Sequence, residues 1–399
     1  MAGAKRGILF HSNSISTLGR NRMPSIFWSK FKVLMVCILS FLVTASVGCD
    51  SSSSDSSNDE LIARMKNATD RVIETTHVPG VVALVADHSR GIDWLYAAGL
   101  SDIPNKIPAN ESFTFRIGSN TKTFTVTVLL QLVAEGRLSL DDKLSRFLPG
   151  FPKADQITIA MLCNMTSGIF NYTEDIQFIQ MATEDPERFW PPQELVDVAA
   201  RNNSYFEPGT SWKYSNSNTI IVGMIVEKIT GNSLESEIAD RITGPLGLMN
   251  TGLLTSGVGL PGIHGRGYYA QEYEEGDDLT EYLDASTTWA AGSAYSAPRE
   301  LQRYVEALVG GGLLSDEMQQ IRFHEYMVQL TEKAAYGLGI LKQGTFFGHN
   351  GSIPGFTSIM CHSVEKNCTV IIYFNCQLEE YSPDTLFLEF MNILYGNDY

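Results

Sequence analysis

Apolar positions along this chain follow two periods. Residues 60–77 repeat at the helical spacing, whereas 81–87 and 92–98 read as two strands around the turn His88-Ser89-Arg90-Gly91. A long helix is predicted over 119–135, stopped by Gly136, with Val126, Leu129, Leu130, Leu132 and Val133 on its buried face. Further helical patterns at 192–201, 218–229, 234–242 and 298–309 are separated by Gly and Pro breaks. Strand signals return only at 339–341, 346–349, 357–362 and 369–375, and 384–395 reads as a closing helix. Strands at both ends with helices between predict an α/β fold of the α+β type. One antiparallel sheet, from about 78–100 and 336–376, would be flanked by helices and carry a mostly helical insertion at about 125–290, all within a domain spanning 60–399.

With 44% hydrophobic and 19% charged residues, the 399-residue chain has an ordinary globular composition. Its formal net charge is −16, and because residues 1–49 hold six basic side chains and no acidic one, the remainder carries −22. So acidic a surface repels phosphate backbones, and nucleic acid is not an expected partner.

Lys30 and Lys32 precede an apolar run at 33–47 ending in Ser46-Val47-Gly48-Cys49, the layout of an export signal over 1–49. The run is short for a bilayer span. Cys49, followed by a Ser/Asp-rich tether at 50–59, resembles the lipidated cysteine of bacterial lipoprotein signals. Ser46 stands where such signals usually carry an aliphatic residue, so plain cleavage and a retained anchor remain as alternatives. A start at Met23 would give a signal of ordinary length. The expectation is a monomer exported to the periplasm or cell envelope, touching the membrane only through a lipid on Cys49. Cys361 and Cys368 flank the turn at Val364-Glu365 and either bridge two strands or stay reduced; Cys163 and Cys376 read as core.

Candidate chemistry begins at Ser119-Asn120-Thr121-Lys122, which follows Phe115-Arg116-Ile117-Gly118 and opens an apolar helix. Residues three apart share a helix face, so the Lys122 amine is predicted at the Ser119 hydroxyl. Desolvation there would favour a neutral amine able to accept the serine proton. Ser363-Val364-Glu365-Lys366 repeats the spacing in a polar hairpin turn and is predicted to be inert. Tyr214-Ser215-Asn216, after the turn Pro208-Gly209-Thr210, is predicted on a loop, with Tyr214 relaying a proton and Asn216 meeting a substrate amide. His349-Asn350-Gly351 ends a strand, where Gly351 would let a substrate backbone come close. Each element alone is commonly structural; together, in order, they describe a serine hydrolase working through an acyl-enzyme. No His-Glu-x-x-His, Cys-x-x-Cys or Gly-rich phosphate loop occurs, so neither metal nor cofactor is expected.

These motifs, with Leu132-Val133-Ala134-Glu135-Gly136-Arg137-Leu138, Met165-Thr166-Ser167-Gly168-Ile169, Pro245-Leu246-Gly247-Leu248, Ala290-Ala291-Gly292-Ser293 and Tyr336-Gly337-Leu338-Gly339, resemble the serine β-lactamase and penicillin-recognising DD-peptidase superfamily, in its branch with a His-x-Gly third element. The resemblance covers about 65–395 and implies the β-lactamase/transpeptidase-like fold. It implies Ser119 as acylated nucleophile, Lys122 as its proton partner, Tyr214 as general acid/base, Asn216 as substrate contact and His349 as a cleft wall. It further implies an oxyanion hole from the amides of Ser119 and Ser352. One departure is Leu341, where the DD-carboxypeptidases of this branch carry an arginine for the substrate's terminal carboxylate; Lys342 is expected on the opposite face of its strand. The expected substrate is a small molecule or peptidoglycan-derived peptide, for a D-alanyl-D-alanine carboxypeptidase-like or β-lactamase-like enzyme. An esterase or D-aminopeptidase of the same fold, and a sensor acylated without turnover, are the rivals.

Overall fold

The computed structural model describes residues 57–269, 278–378, 381–396 and 398–399. The export signal 1–49, with Cys49, and residues 50–56 of the tether lie outside them. The tether reading runs too far at its C-terminal end. Ser57 accepts a hydrogen bond from the Glu60 amide (3.3 Å) and so caps helix α1, Asn58–Thr75, with Asp59 and Glu60 in its first turn.

Nine antiparallel strands form the main sheet. We number them β1 Gly80–Asp87, β2 Ile92–Asp102, β3 Ile107–Pro108, β4 Val328–Gln329, β5 Ala334–Tyr336, β6 Leu341–Gln343, β7 Phe346–Ile353, β8 Phe356–Ser363 and β9 Cys368–Phe374. Their order is β3-β2-β1-β9-β8-β7-β6-β5-β4, so the two chain ends join where β1 pairs with β9, Val81 opposite Phe374. The expected sheet was therefore right in kind but short by β3, β4 and most of β5.

Every residue of β1 is buried because both sheet faces are covered. Val82, Leu84 and Ala86 enter the core of the helical side, while Val81, Ala83 and Val85 face α1 and the closing helix α5, Pro383–Tyr395. The opposite layer holds α2, Thr121–Ala134, and α4, Pro298–Gly310, with α3, Asn216–Thr230, beyond α2. The insertion also holds helices Ile159–Cys163, Ile176–Glu184, Pro192–Ala200 and Leu234–Ile238.

The predicted buried face of α2 is a correction. Thr121 through Leu130 are all buried, together with Leu132, because the helix is surrounded by sheet, α3 and α4; Val133 is only partly covered. The β8–β9 hairpin pairs Ser363 with Cys368 and Cys361 with Val370, so the two cysteines stand diagonally, not face to face. Diagonal neighbours on adjacent strands are too far apart for a disulfide, and all four described cysteines are free and buried.

Candidate active site

Gly118–Asn120 form a 3-10 turn that feeds α2, so Ser119 sits just before the helix instead of opening it. Gly118 has φ +52°, and a Cβ there would lie 2.7 Å from the Ser352 amide nitrogen, which only glycine permits. Asn120 pins the turn to the sheet by donating to the Ile117 carbonyl and to Ser358 Oγ, both at 2.8 Å. Ser119 itself is partly exposed and opens into the cleft.

Lys122 Nζ donates to Ser119 Oγ (2.9 Å), Asn216 Oδ1 (2.7 Å) and the Ala291 carbonyl (2.8 Å), three acceptors for the three N–H bonds of an ammonium. Its side chain is fully buried, so those oxygens replace water around the charge. The Tyr214 ring lies over this amine, with its centroid 4.8 Å from Nζ. Tyr214 is on a loop as expected, but Asn216 is not: it is the first residue of α3, and its backbone amide is held by Asn171 Oδ1 at 3.1 Å. The Asn216 side-chain NH2 in turn donates to Thr173 Oγ1 at 3.2 Å.

His349 is buried in the wall beside Tyr214. Its Nδ1–H donates to the Asn350 carbonyl (2.6 Å), leaving Nε2 to accept from the Tyr336 hydroxyl (3.1 Å). Burial, reinforced by the Lys122 charge, pushes the imidazole down to about 3, so the ring is neutral. Burial also keeps Tyr336 a neutral phenol, well above its ordinary value. At Gly351 the close approach comes from the protein itself: a Cβ would stand 2.0 Å from the Ile117 carbonyl and 2.8 Å from Asn120 Nδ2. Gly351 thus lets β7 press against the Ser119 turn, and the expected substrate approach at its Cα is taken up by that contact. Ser352 follows with its amide beside Gly118, while its hydroxyl receives a bond from Gln377 Nε2 at 2.7 Å.

The structure therefore brings Ser119, Lys122, Tyr214, Asn216, His349, Gly351 and Ser352 to one cleft. Three contributors escaped sequence reasoning: the Ala291 carbonyl, Asn171 and Thr173. A backbone carbonyl has no side-chain signature, and the two polar residues lie in a stretch without periodicity. The second Ser-x-x-Lys lies at the β8–β9 hairpin, where the Lys366 amine meets Glu365 at 3.2 Å and the Ser363 hydroxyl donates to Thr345 Oγ1 at 3.0 Å. Leu341 joins Met165 and Tyr336 in an apolar cluster bordered by Trp212 and Tyr214, and Lys342 Nζ lies 5.7 Å from the centroid of the Phe347 ring.

The profile of the Beta-lactamase family matches residues 63–388. The chain belongs to that family. Among its relatives, Penicillin-binding protein 4* of Bacillus subtilis is 27% identical over 331 residues, covering 78% of this chain and 72% of that protein. A D-aminopeptidase of Cereibacter sphaeroides is 29% identical over 70% of this chain, which spans only 53% of that enzyme's length. A solved D-stereospecific amidohydrolase from Streptomyces sp. superposes with TM-score 0.74 at 31% identity, covering 84% of this chain and 98% of that one. The D-amino acid amidase from Ochrobactrum anthropi SV3, solved with L-phenylalanine amide, gives TM-score 0.72 at 27% identity over 84% and 98% of the two chains. The fold is thus the serine-hydrolase fold of the β-lactamase and penicillin-binding family.

Proposed function

We propose that this protein is an active-site serine amidohydrolase that cleaves amides of D-amino acids through an acyl-enzyme at Ser119. The observation that carries the reading is the Lys122 amine 2.9 Å from the Ser119 hydroxyl, inside a cleft walled by Tyr214, Asn216 and His349. Ser119 Oγ attacks the carbonyl carbon, and its proton passes to the Tyr214 oxygen, acting as phenolate beside the Lys122 ammonium. Tyr214 hands that proton to the departing amide nitrogen, while the amides of Ser119 and Ser352 hold the developing oxyanion. Water then takes the place of the leaving group and releases the acid. The neutral His349 imidazole shapes the wall without adding charge.

Amide specificity for D-amino acids is supported by the likeness to the D-stereospecific amidohydrolase and the D-amino acid amidase, both covered almost end to end. A carboxypeptidase or β-lactamase is the less favoured assignment, because the position expected to grip a terminal carboxylate is the apolar Leu341. The 1–49 pattern further supports export, with a tether at Cys49.

A panel of D- and L-amino acid amides, D-Ala-D-Ala peptides, a penicillin and p-nitrophenyl esters tests this reading. D-amides are expected to have the highest kcat/KM, and Ser119→Ala to lose about 10³-fold or more on every substrate. Equal turnover by Ser119→Ala and wild type would sink the mechanism; preference for the carboxylate-terminated peptide would sink the assigned specificity.

A further inference from the structure

Beside Ser119 the cleft ends in a small, partly open cavity of about 30 Å³. Thr173 and Asn216 stand at its polar side, and Phe178, Leu283, Ala291 and Ile353 make its apolar walls. Tyr214, the group assigned to protonate the leaving nitrogen, is not among its lining residues. The leaving group must lie towards Tyr214, so this cavity takes the side chain on the acyl side of the scissile bond.

Phe178 is fixed there from several directions. It is fully buried and packs edge-on between Tyr172 (5.1 Å) and Trp190 (4.7 Å between ring centroids). Its amide donates to Asp175 Oδ1 at 2.8 Å, and that N-cap carboxylate is itself held by Arg201 and Asn202, both at 2.8 Å. A ring held this way cannot swing aside for a large substituent.

We propose that Phe178 is a specificity-determining residue that limits the acyl side chain to about the size of alanine, making amides of D-alanine and similarly small D-amino acids the substrates. This rests on the D-amidase reading above. A space of about 30 Å³ holds one or two water-sized groups and excludes a benzyl side chain.

The test is the ratio of kcat/KM for D-alaninamide over D-phenylalaninamide. Wild type is expected to favour D-alaninamide by about tenfold or more, and Phe178→Ala to reduce that ratio by about tenfold or more. Because Phe178 is a core residue, Phe178→Leu and Leu283→Ala, at another residue lining the cavity, provide milder variants that should move the ratio the same way. A wild-type ratio near one, or a ratio unchanged in folded variants, overturns the proposal. The same enzymes are assayed with p-nitrophenyl acetate and p-nitrophenyl hexanoate. If esters are cleaved and no D-amide is, the amidase reading fails, while the acetate-to-hexanoate ratio still decides whether Phe178 limits acyl size. An enzyme inert towards both series overturns both ideas.

Discussion

Burial and the Lys122 charge set the protonation state of His349, and that state makes a pH prediction. The unfolded chain takes up a proton on this imidazole as pH falls through about 6.5, and the folded chain not until about 3. The lowered folded value means that its contribution to stability is full above 6.5 and is lost progressively between 6.5 and 3. Thermal melts of His349→Gln should therefore lose stability less steeply with acid than wild type across that window. The ring does not titrate in the assay range, so both proteins should share the same acid limb of kcat/KM between about pH 5 and pH 8. An acid limb present in wild type and missing from the variant would make His349 a titrating participant, contrary to its neutral bonding to Tyr336 and Asn350.

The contact between β7 and the Ser119 turn depends on the absence of a side chain at Gly351. An added methyl meets the Ile117 carbonyl at 2.0 Å, a backbone atom that cannot rotate away. Either the strand or the turn must shift, which moves the Ser352 amide relative to Ser119. Gly351→Ala should lower kcat/KM by about 100-fold, the cost of roughly an ångström of misplacement, and destabilise the fold by about 1–3 kcal/mol in denaturant melts. Activity within threefold of wild type would show the two elements to be uncoupled. Legibility divides at this scale. Ser119 and Lys122 could be paired from sequence because one helical turn fixes their relation. The tertiary meaning of Gly351 could not, since its neighbour Ile117 lies on another element. Helices bounded by Gly or Pro were readable, whereas Ile176–Glu184 was missed: it is short, Asp175 caps it inconspicuously, and only Phe178, Ile179 and Ala182 are buried. Strand β4 and most of β5 escaped for a related reason, being two and three residues long, below the length at which alternation is detectable.

Over the whole molecule, the fold closes by bringing distant parts of the chain together. β1 pairs with β9, α1 lies against α5, and the end of α5 is tied to the β1–β2 turn by Tyr395 Oη donating to Asp87 (2.6 Å) and Arg90 donating to the Leu394 carbonyl (2.9 Å). All the proposed catalytic groups lie in the helical layer or on the interior strand β7, between residues 119 and 352. Removing α5 therefore deletes none of them. It does uncover Val81, Ala83, Val85, Ile372 and Phe374, whose partners Leu386, Phe387, Phe390 and Met391 are lost with the helix. Fully burying each such side chain is worth about 1.5–3 kcal/mol, so the loss exceeds the net stability of an ordinary domain. A chain ending at residue 382 is expected to be insoluble or unfolded by circular dichroism, whereas one beginning at Ser57 keeps the α1 cap and should match the full chain in melting temperature and kcat/KM. A soluble, active protein without α5 would show that the helical side and the sheet suffice to hold Ser119 against Lys122, and that the junction of the two chain ends is not what keeps the cleft in place.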